Sequence, residues 1–169
     1  KRTPQVAAAI REALGITDGV EPNALDLLKV TTLKLSYKNI HSLKEYDFQG
    51  LFTMQKLYLN NNPITALPAN LLRGLDSLQQ LWLNNNQLTI TLPENLFHGL
   101  NSLEDLYLGN NLLTALPENL LRGLNSLQQL WLDHNQLSTI PENLLRGLDS
   151  LQLLRLNNNQ LTTLPENLL

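Results

Sequence analysis

The chain contains no cysteine. A disulfide framework is therefore excluded, and repeat proteins that seal their ends with disulfide-bonded caps are a poor match. The ends of this fold must be closed by packing instead. No apolar run reaches the roughly 18 residues that a membrane-crossing helix requires. Charge is sparse at 16% of residues, and the net charge is only −3. That gives no field for nucleic acid or an anionic membrane surface. Asparagine is abundant, yet no Asn-x-Ser/Thr acceptor site occurs. The sequence opens at Lys1 with no apolar leader, as a mature or trimmed chain would, which leaves export open. Aromatic residues make up just 5%, so their placement is informative.

Repetition is what the chain does have. The frame Leu-x-x-Leu-x-Leu-x-x-Asn-x-Leu/Ile, then Leu/Ile-Pro, then Gly-Leu, is clearest from Leu78 to Leu148. It opens at Val30, Met54, Leu78, Leu103, Leu127 and Leu151, with spacings of 24, 24, 25, 24 and 24 residues. A period of this length marks a solenoid, in which each unit buries its apolar side only against its neighbours. Alternation within Leu-x-x-Leu-x-Leu has the period of a strand. Leu81 and Leu83 should point inward, with Gln80, Trp82 and Asn84 outward. One strand per unit, always run in the same direction, predicts a parallel sheet along one face.

The recurrent Asn62, Asn86, Asn111, Asn135 and Asn159 follow each strand at a turn. A carboxamide has two donors and an acceptor, enough to pair the backbone groups of a bending chain, and stacked units would form an Asn ladder. The first unit has Lys38 there. On the return path, Leu/Ile-Pro breaks any strand. A turn or two of helix or 3₁₀ should follow, ended by Gly50, Gly74, Gly99, Gly123 and Gly147. Phe48, Leu72, Phe97, Leu121 and Leu145 should form a spine beneath the convex side. The one lengthened unit, at Thr89-Ile90-Thr91-Leu92, should bulge outward and leave the ladder in frame.

These residues resemble the leucine-rich repeat family, in its typical 24-residue subclass, from Val30 to Leu169. The resemblance implies an α/β architecture: a curved, right-handed solenoid with its sheet on the concave face and short helical or 3₁₀ turns on the convex face. It further implies a non-catalytic module that binds other molecules, mostly proteins, on the concave sheet. Residues 1–29 read as a helical N-terminal cap. Thr3-Pro4 gives an N-cap and a first-turn proline. Val6, Ala7, Ile10 and Leu14 form an apolar stripe that stops at Gly15, and a second short helix is expected from Glu21-Pro22 to Leu28. The repeats then run 30–53, 54–77, 78–102, 103–126, 127–150 and, in part, 151–169, as one continuous domain. The cap looks like those of bacterial surface and secreted leucine-rich repeat proteins, which implies export or surface display. A monomer is expected, with the uncapped apolar end at Leu169 as a place for association.

The outward middle residue of each strand reads Lys34, Tyr58, Trp82, Tyr107, Trp131, Arg155. Both tryptophans and two of the four tyrosines share this row. With strands about 4.8 Å apart, the rings would make a stacked stripe about 15 Å long. Such a stripe approaches the roughly 300–600 Å² of the largest apolar patch on an ordinary monomer. Lys56, Gln80, Asp105, Gln129, Asp133 and His134 flank it and complete the expected protein-binding or peptide-binding surface. Lys34 and Lys56 make one end basic, while Glu104, Asp105 and Asp133 make the middle acidic. Stacked aromatics beside amides also suit a glycan, and a structural spacer within a longer protein is the other alternative. A shared metal site from Asp105, Asp133 and His134 fails on distance, because the row offset is about 13 Å. No catalytic constellation, cofactor motif or metal set emerges. On the convex side, Glu118/Arg122, Glu142/Arg146 and Glu94/His98 lie four apart and read as a solvated, weakly paired face.

Overall fold

A computed structural model describes every residue from Lys1 to Leu169. Two helices lead the chain: α1, Pro4–Leu14, and α2, Ala24–Leu27. The strands follow in the order β1, Thr32–Lys34; β2, Lys56–Tyr58; β3, Gln80–Trp82; β4, Thr89–Ile90; β5, Asp105–Tyr107; β6, Leu112–Leu113; β7, Gln129–Trp131; and β8, Leu153–Arg155. A parallel 6-stranded sheet runs β1-β2-β3-β5-β7-β8, and β4 pairs with β6 in a separate 2-stranded sheet. The architecture is the expected leucine-rich repeat solenoid.

Strand alternation works as the pattern requires. Leu33, Leu57, Leu81, Leu106 and Leu130 are fully buried between outward neighbours. Burying one leucine contributes about 1.5–3 kcal/mol, so the column of leucines dominates stability. The core is a single cluster of 44 residues reaching from Val6 in α1 to Leu168, which joins cap and repeats in one body. The convex spine is present too: Phe48, Leu72, Phe97, Leu121 and Leu145 are all buried.

The Asn ladder is continuous. Asn111 donates from Nδ2 to the carbonyls of Leu83 and Leu108, both at 3.0 Å, and its Oδ1 accepts from Leu88 N at 3.1 Å. Asn62, Asn86, Asn135 and Asn159 repeat this arrangement, bridging each turn to the one before. The residue ahead of each ladder position has positive φ, from 53° at His134 to 60° at Asn61. Asparagine tolerates this left-handed conformation better than most residues, which gives the first Asn of the Asn61-Asn62 and Asn85-Asn86 doublets its own reason.

The lengthened unit behaves as its sequence implies. Ile90 takes up the insertion at φ 64° with its side chain exposed, while Trp82 stays paired in register with Tyr107. The pairing of β4 with β6 was not foreseen.

On the convex side the return segments form successive i→i+3 turns of the 3₁₀ kind, such as Leu71 N to Pro68 O and Arg73 N to Asn70 O, without continuing into a regular helix. Three local expectations for the cap need correction. The second helix is shorter than expected and is capped by Asn23, whose side chain accepts from Asp26 N while Asp26 returns a carboxylate to Asn23 N. Thr3 makes no side-chain cap on α1. Instead its N and Oγ1 both donate to the Asp47 carboxylate at 2.6 Å. Asp47 is fully buried where later units place Leu71, Leu96, Leu120 and Leu144. The cap stripe is also rotated: Ala9, rather than Ala7, is buried beside Val6 and Ile10.

Candidate functional site

Parallel pairing in constant register sets Lys34, Tyr58, Trp82, Tyr107, Trp131 and Arg155 in one line across the sheet. The four rings are half-buried, neither absorbed into the core nor free of their neighbours. Tyr58 and Trp82 lie 4.2 Å apart with their planes at 76°, and Trp82 and Tyr107 are 5.2 Å apart at 77°. Tyr107 and Trp131 are 5.4 Å apart and tilted by 58°. The expected stacked stripe is present as edge-to-face and tilted contacts, as the ring quadrupoles favour. The row thus offers both edges and partial faces. At its end the Arg155 guanidinium carbon lies 4.5 Å from the Trp131 ring centroid.

The two tryptophans differ in their polar atoms. Trp131 Nε1 donates to Gln129 Oε1 at 3.2 Å, whereas Trp82 Nε1 is buried without a partner. Burial first, then the charges of Asp105 and the presence of Tyr58, push the Tyr107 phenol above its ordinary pKa. Asp105 is likewise raised, first by burial and second by Glu104.

Beside the row, Lys56, Gln80, Asp105 and Gln129 are aligned and partly exposed, and Lys34 is exposed. Asp133, read from sequence as a contact residue, is buried instead at 6% exposure. It leans over Gly109, which has no side chain to hold it off: a Cβ built there would meet Asp133 Oδ1 at 2.8 Å. Its Oδ2 bonds His134 Nδ1 at 2.8 Å, so His134 is the exposed member of that pair. No group of three or more His, Cys, Asp or Glu residues is placed to hold a metal ion.

Sequence reasoning missed the part that α1 plays. A cleft of about 580 Å³ lies where α1 meets the first strands, lined by Ala9, Glu12 and Ala13 on one side and Thr32, Lys34, Ser36, Lys38 and Tyr58 on the other. Ala9 and Ala13, small and four apart in α1, were the available signal. The cap therefore forms a wall of the concave surface as well as a lid on the core.

A solenoid of stacked strand-and-return units, carrying an Asn ladder and an exposed parallel sheet, defines the class of leucine-rich repeat folds. The leucine rich repeat family model matches residues 28–88 and 89–137, and the chain belongs to the leucine-rich repeat family. No curated protein matches the sequence. Among solved structures, the chain is similar to Toll in the Toll–Spatzle complex from Drosophila, at 32% identity and a TM-score of 0.76, over 79% of this chain and 17% of that one. It is similar to the protein of the TLR13–ssRNA13 complex at 33% identity and a TM-score of 0.76, over 82% of this chain and 19% of that one. An internalin from Listeria monocytogenes shares the fold at 22% identity and a TM-score of 0.78, over 95% of this chain and 44% of that one. The chain therefore spans less than half the length of each neighbour. Two of these neighbours were solved in complexes, Toll with Spatzle and TLR13 with ssRNA13.

Proposed function

We propose that this chain is a non-catalytic module that binds a protein or peptide on its concave sheet, centred on Tyr58, Trp82, Tyr107 and Trp131. One observation carries the reading: the chain's two tryptophans and two of its tyrosines fall into one register-aligned, half-exposed row. Aromatic anchors of this kind supply large contact area at small entropic cost. A negative net charge and an acidic sheet centre favour a protein ligand over RNA. The resemblance of the cap to those of bacterial surface and secreted proteins supports an exported or surface-displayed role.

The test combines a protein pull-down and a glycan array on the intact chain, each repeated with Trp82→Ala and Trp131→Ala. Either substitution should weaken a captured protein by at least about 2 kcal/mol, as central aromatic anchors do. Folding should survive, since both rings lie outside the leucine column. Normal binding by both variants, or selective glycan capture, would overturn the proposal. Silence in both assays would favour the spacer role.

A further inference from the structure

One strand motif holds a pair of neighbouring charges that the protein leaves without an ion-pair partner. The two positions between the first and second apolar anchors of each strand motif read Thr31-Thr32, Gln55-Lys56, Gln79-Gln80, Glu104-Asp105, Gln128-Gln129 and Gln152-Leu153. The two amides of the units on either side become two carboxylates in a single unit. Both carboxylates are partly exposed. Neither takes part in an ion pair, since the chain's pairs are Arg11–Asp18, Lys29–Asp26 and His134–Asp133. The nearest cation along the same row is Lys56, two strands away and hence about 9.6 Å off. Arg155, two strands away on the other side, is turned onto Trp131.

Asp105 and Tyr107 are alternate residues of β5, so they project from the same side of the sheet about 6.6 Å apart along the strand. Tyr107 is flanked by Trp82 at 5.2 Å and Trp131 at 5.4 Å. What such a row accepts is already visible at its end, where the protein's own guanidinium rests over Trp131. An aromatic wall beside free carboxylates is the pairing that holds a flat cation, with the rings taking its face and the oxygens taking its N–H groups. Arginine fits better than lysine because its planar fork can meet a carboxylate bidentately while it stacks.

We propose that β5 is the subsite for an arginine side chain of the partner protein, paired by Glu104 and Asp105 and packed on Tyr107 between Trp82 and Trp131. This rests on the concave-face reading above and adds the chemistry of the anchor. The electrostatics are consistent with it: burial and Glu104 hold Asp105 above its ordinary pKa, and an arriving guanidinium opposes both effects.

The probes are three fluorescein-labelled peptides of sequence Gly-Ser-Leu-X-Leu-X-Ser-Gly, with X as Arg, Gln or Glu, followed by fluorescence anisotropy on the intact chain. The arginine peptide should bind at least about tenfold more tightly than the glutamine peptide, with the glutamate peptide weakest. Glu104→Gln/Asp105→Asn should erase that tenfold preference and leave the glutamine peptide unchanged. Glu118→Gln/Glu142→Gln makes the same change in net charge on the convex face and should leave all three affinities within about twofold. Equal losses in the two double variants would overturn the subsite and assign the preference to net charge. An arginine peptide that binds no better than the glutamine peptide, or not at all, overturns it as well. If binding without an arginine preference still falls in Trp82→Ala, the subsite is wrong and the concave face stands. If peptide affinity ignores Trp82→Ala and Trp131→Ala altogether, the concave reading fails with it.

Discussion

Asparagine links successive turns on both long sides of this solenoid, yet the two ladders do different jobs. On the sheet side, Asn62, Asn86, Asn111 and Asn135 are buried and bond backbone carbonyls of two adjacent turns. On the return side, Asn70, Asn119 and Asn143 are exposed and reach back to the carboxylates of Glu45, Glu94 and Glu118 at 2.7, 3.1 and 3.0 Å. The sheet-side ladder is unbroken, whereas the return-side one skips Asn95, which meets Ala69 one turn back. Water decides their worth: a buried amide has no other partner, while an exposed one exchanges a carboxylate for solvent at little gain. Variation follows the same division. The return side repeats Glu-Asn-Leu-Leu almost unchanged, whereas the residues outside the sheet change from unit to unit, which is where the proposed binding chemistry is placed.

The largest effect should come from the buried ladder. Asn111→Ala leaves the carbonyls of Leu83 and Leu108 and the N–H of Leu88 without their partner. A loss of about 1–3 kcal/mol is expected in urea unfolding. Lys38→Ala, at the same position of the first unit, should be close to neutral, because its side chain is exposed and bridges no turns. Similar losses at the two sites would show that the ladder is not what holds the turns.

A smaller loss should appear where the return side departs from its own pattern. Asp47 buries a carboxylate in place of leucine and accepts from Thr3 N, Thr3 Oγ1 and Lys44 N. Arg2 donates nearby to the carbonyls of Asp47 and Gln49, and burial lowers its pKa before the Asp47 charge raises it. Asp47→Ala should cost about 1–2 kcal/mol by stranding these donors. Hydrogen exchange should quicken in α1 before it does in the distant turns. Uniform loosening of the whole array would mean that this contact does not act locally.

Asp105→Asn should move stability the other way. The folded pKa of Asp105 is raised, so the native state holds its proton to higher pH than the unfolded chain does. Stability contributed by this group therefore falls as pH rises through the window between the unfolded and the folded values. Removing the charge should raise Tm at neutral pH, and the gain should vanish below the unfolded carboxylate value of about 3.9. A lower Tm at neutral pH would show that the carboxylate is held by favourable contacts.

Most of the architecture could be read from the sequence because each unit meets nearly the same surroundings, so period, inward leucines, ladder and spine all follow from one template. The misses lie where a residue's partner is remote or its orientation is free. Thr3 binds Asp47 across 44 positions, a contact no helix-capping rule contains. Ring order in the row follows from register, but tilt is set by quadrupoles and packing. Burial of Asp133 depends on the absent side chain of Gly109 one strand away. On the return side, spacings of four suggested Glu118–Arg122 and Glu142–Arg146 pairs. Neither ion pair forms, and the Glu118 carboxylate instead accepts from Asn143, 25 residues on and one turn away in space.

That exchange of partners sets the smallest prediction and tests the comparison of the two ladders at its weaker end. Glu118→Ala removes the acceptor of Asn143, and Asn119→Ala removes the donor to Glu94. Both sites are exposed, so the freed groups return to water and each change should cost no more than about 0.5 kcal/mol. The protein has already performed part of the experiment: Ala69 stands where other units carry the glutamate, and the spine residue Leu72 beneath that turn remains 1% exposed. Affinity for a concave-face partner should not change in either variant. A loss comparable to that of Asn111→Ala would mean that the outer ladder carries the curvature of the array, and exposure would no longer separate the two faces.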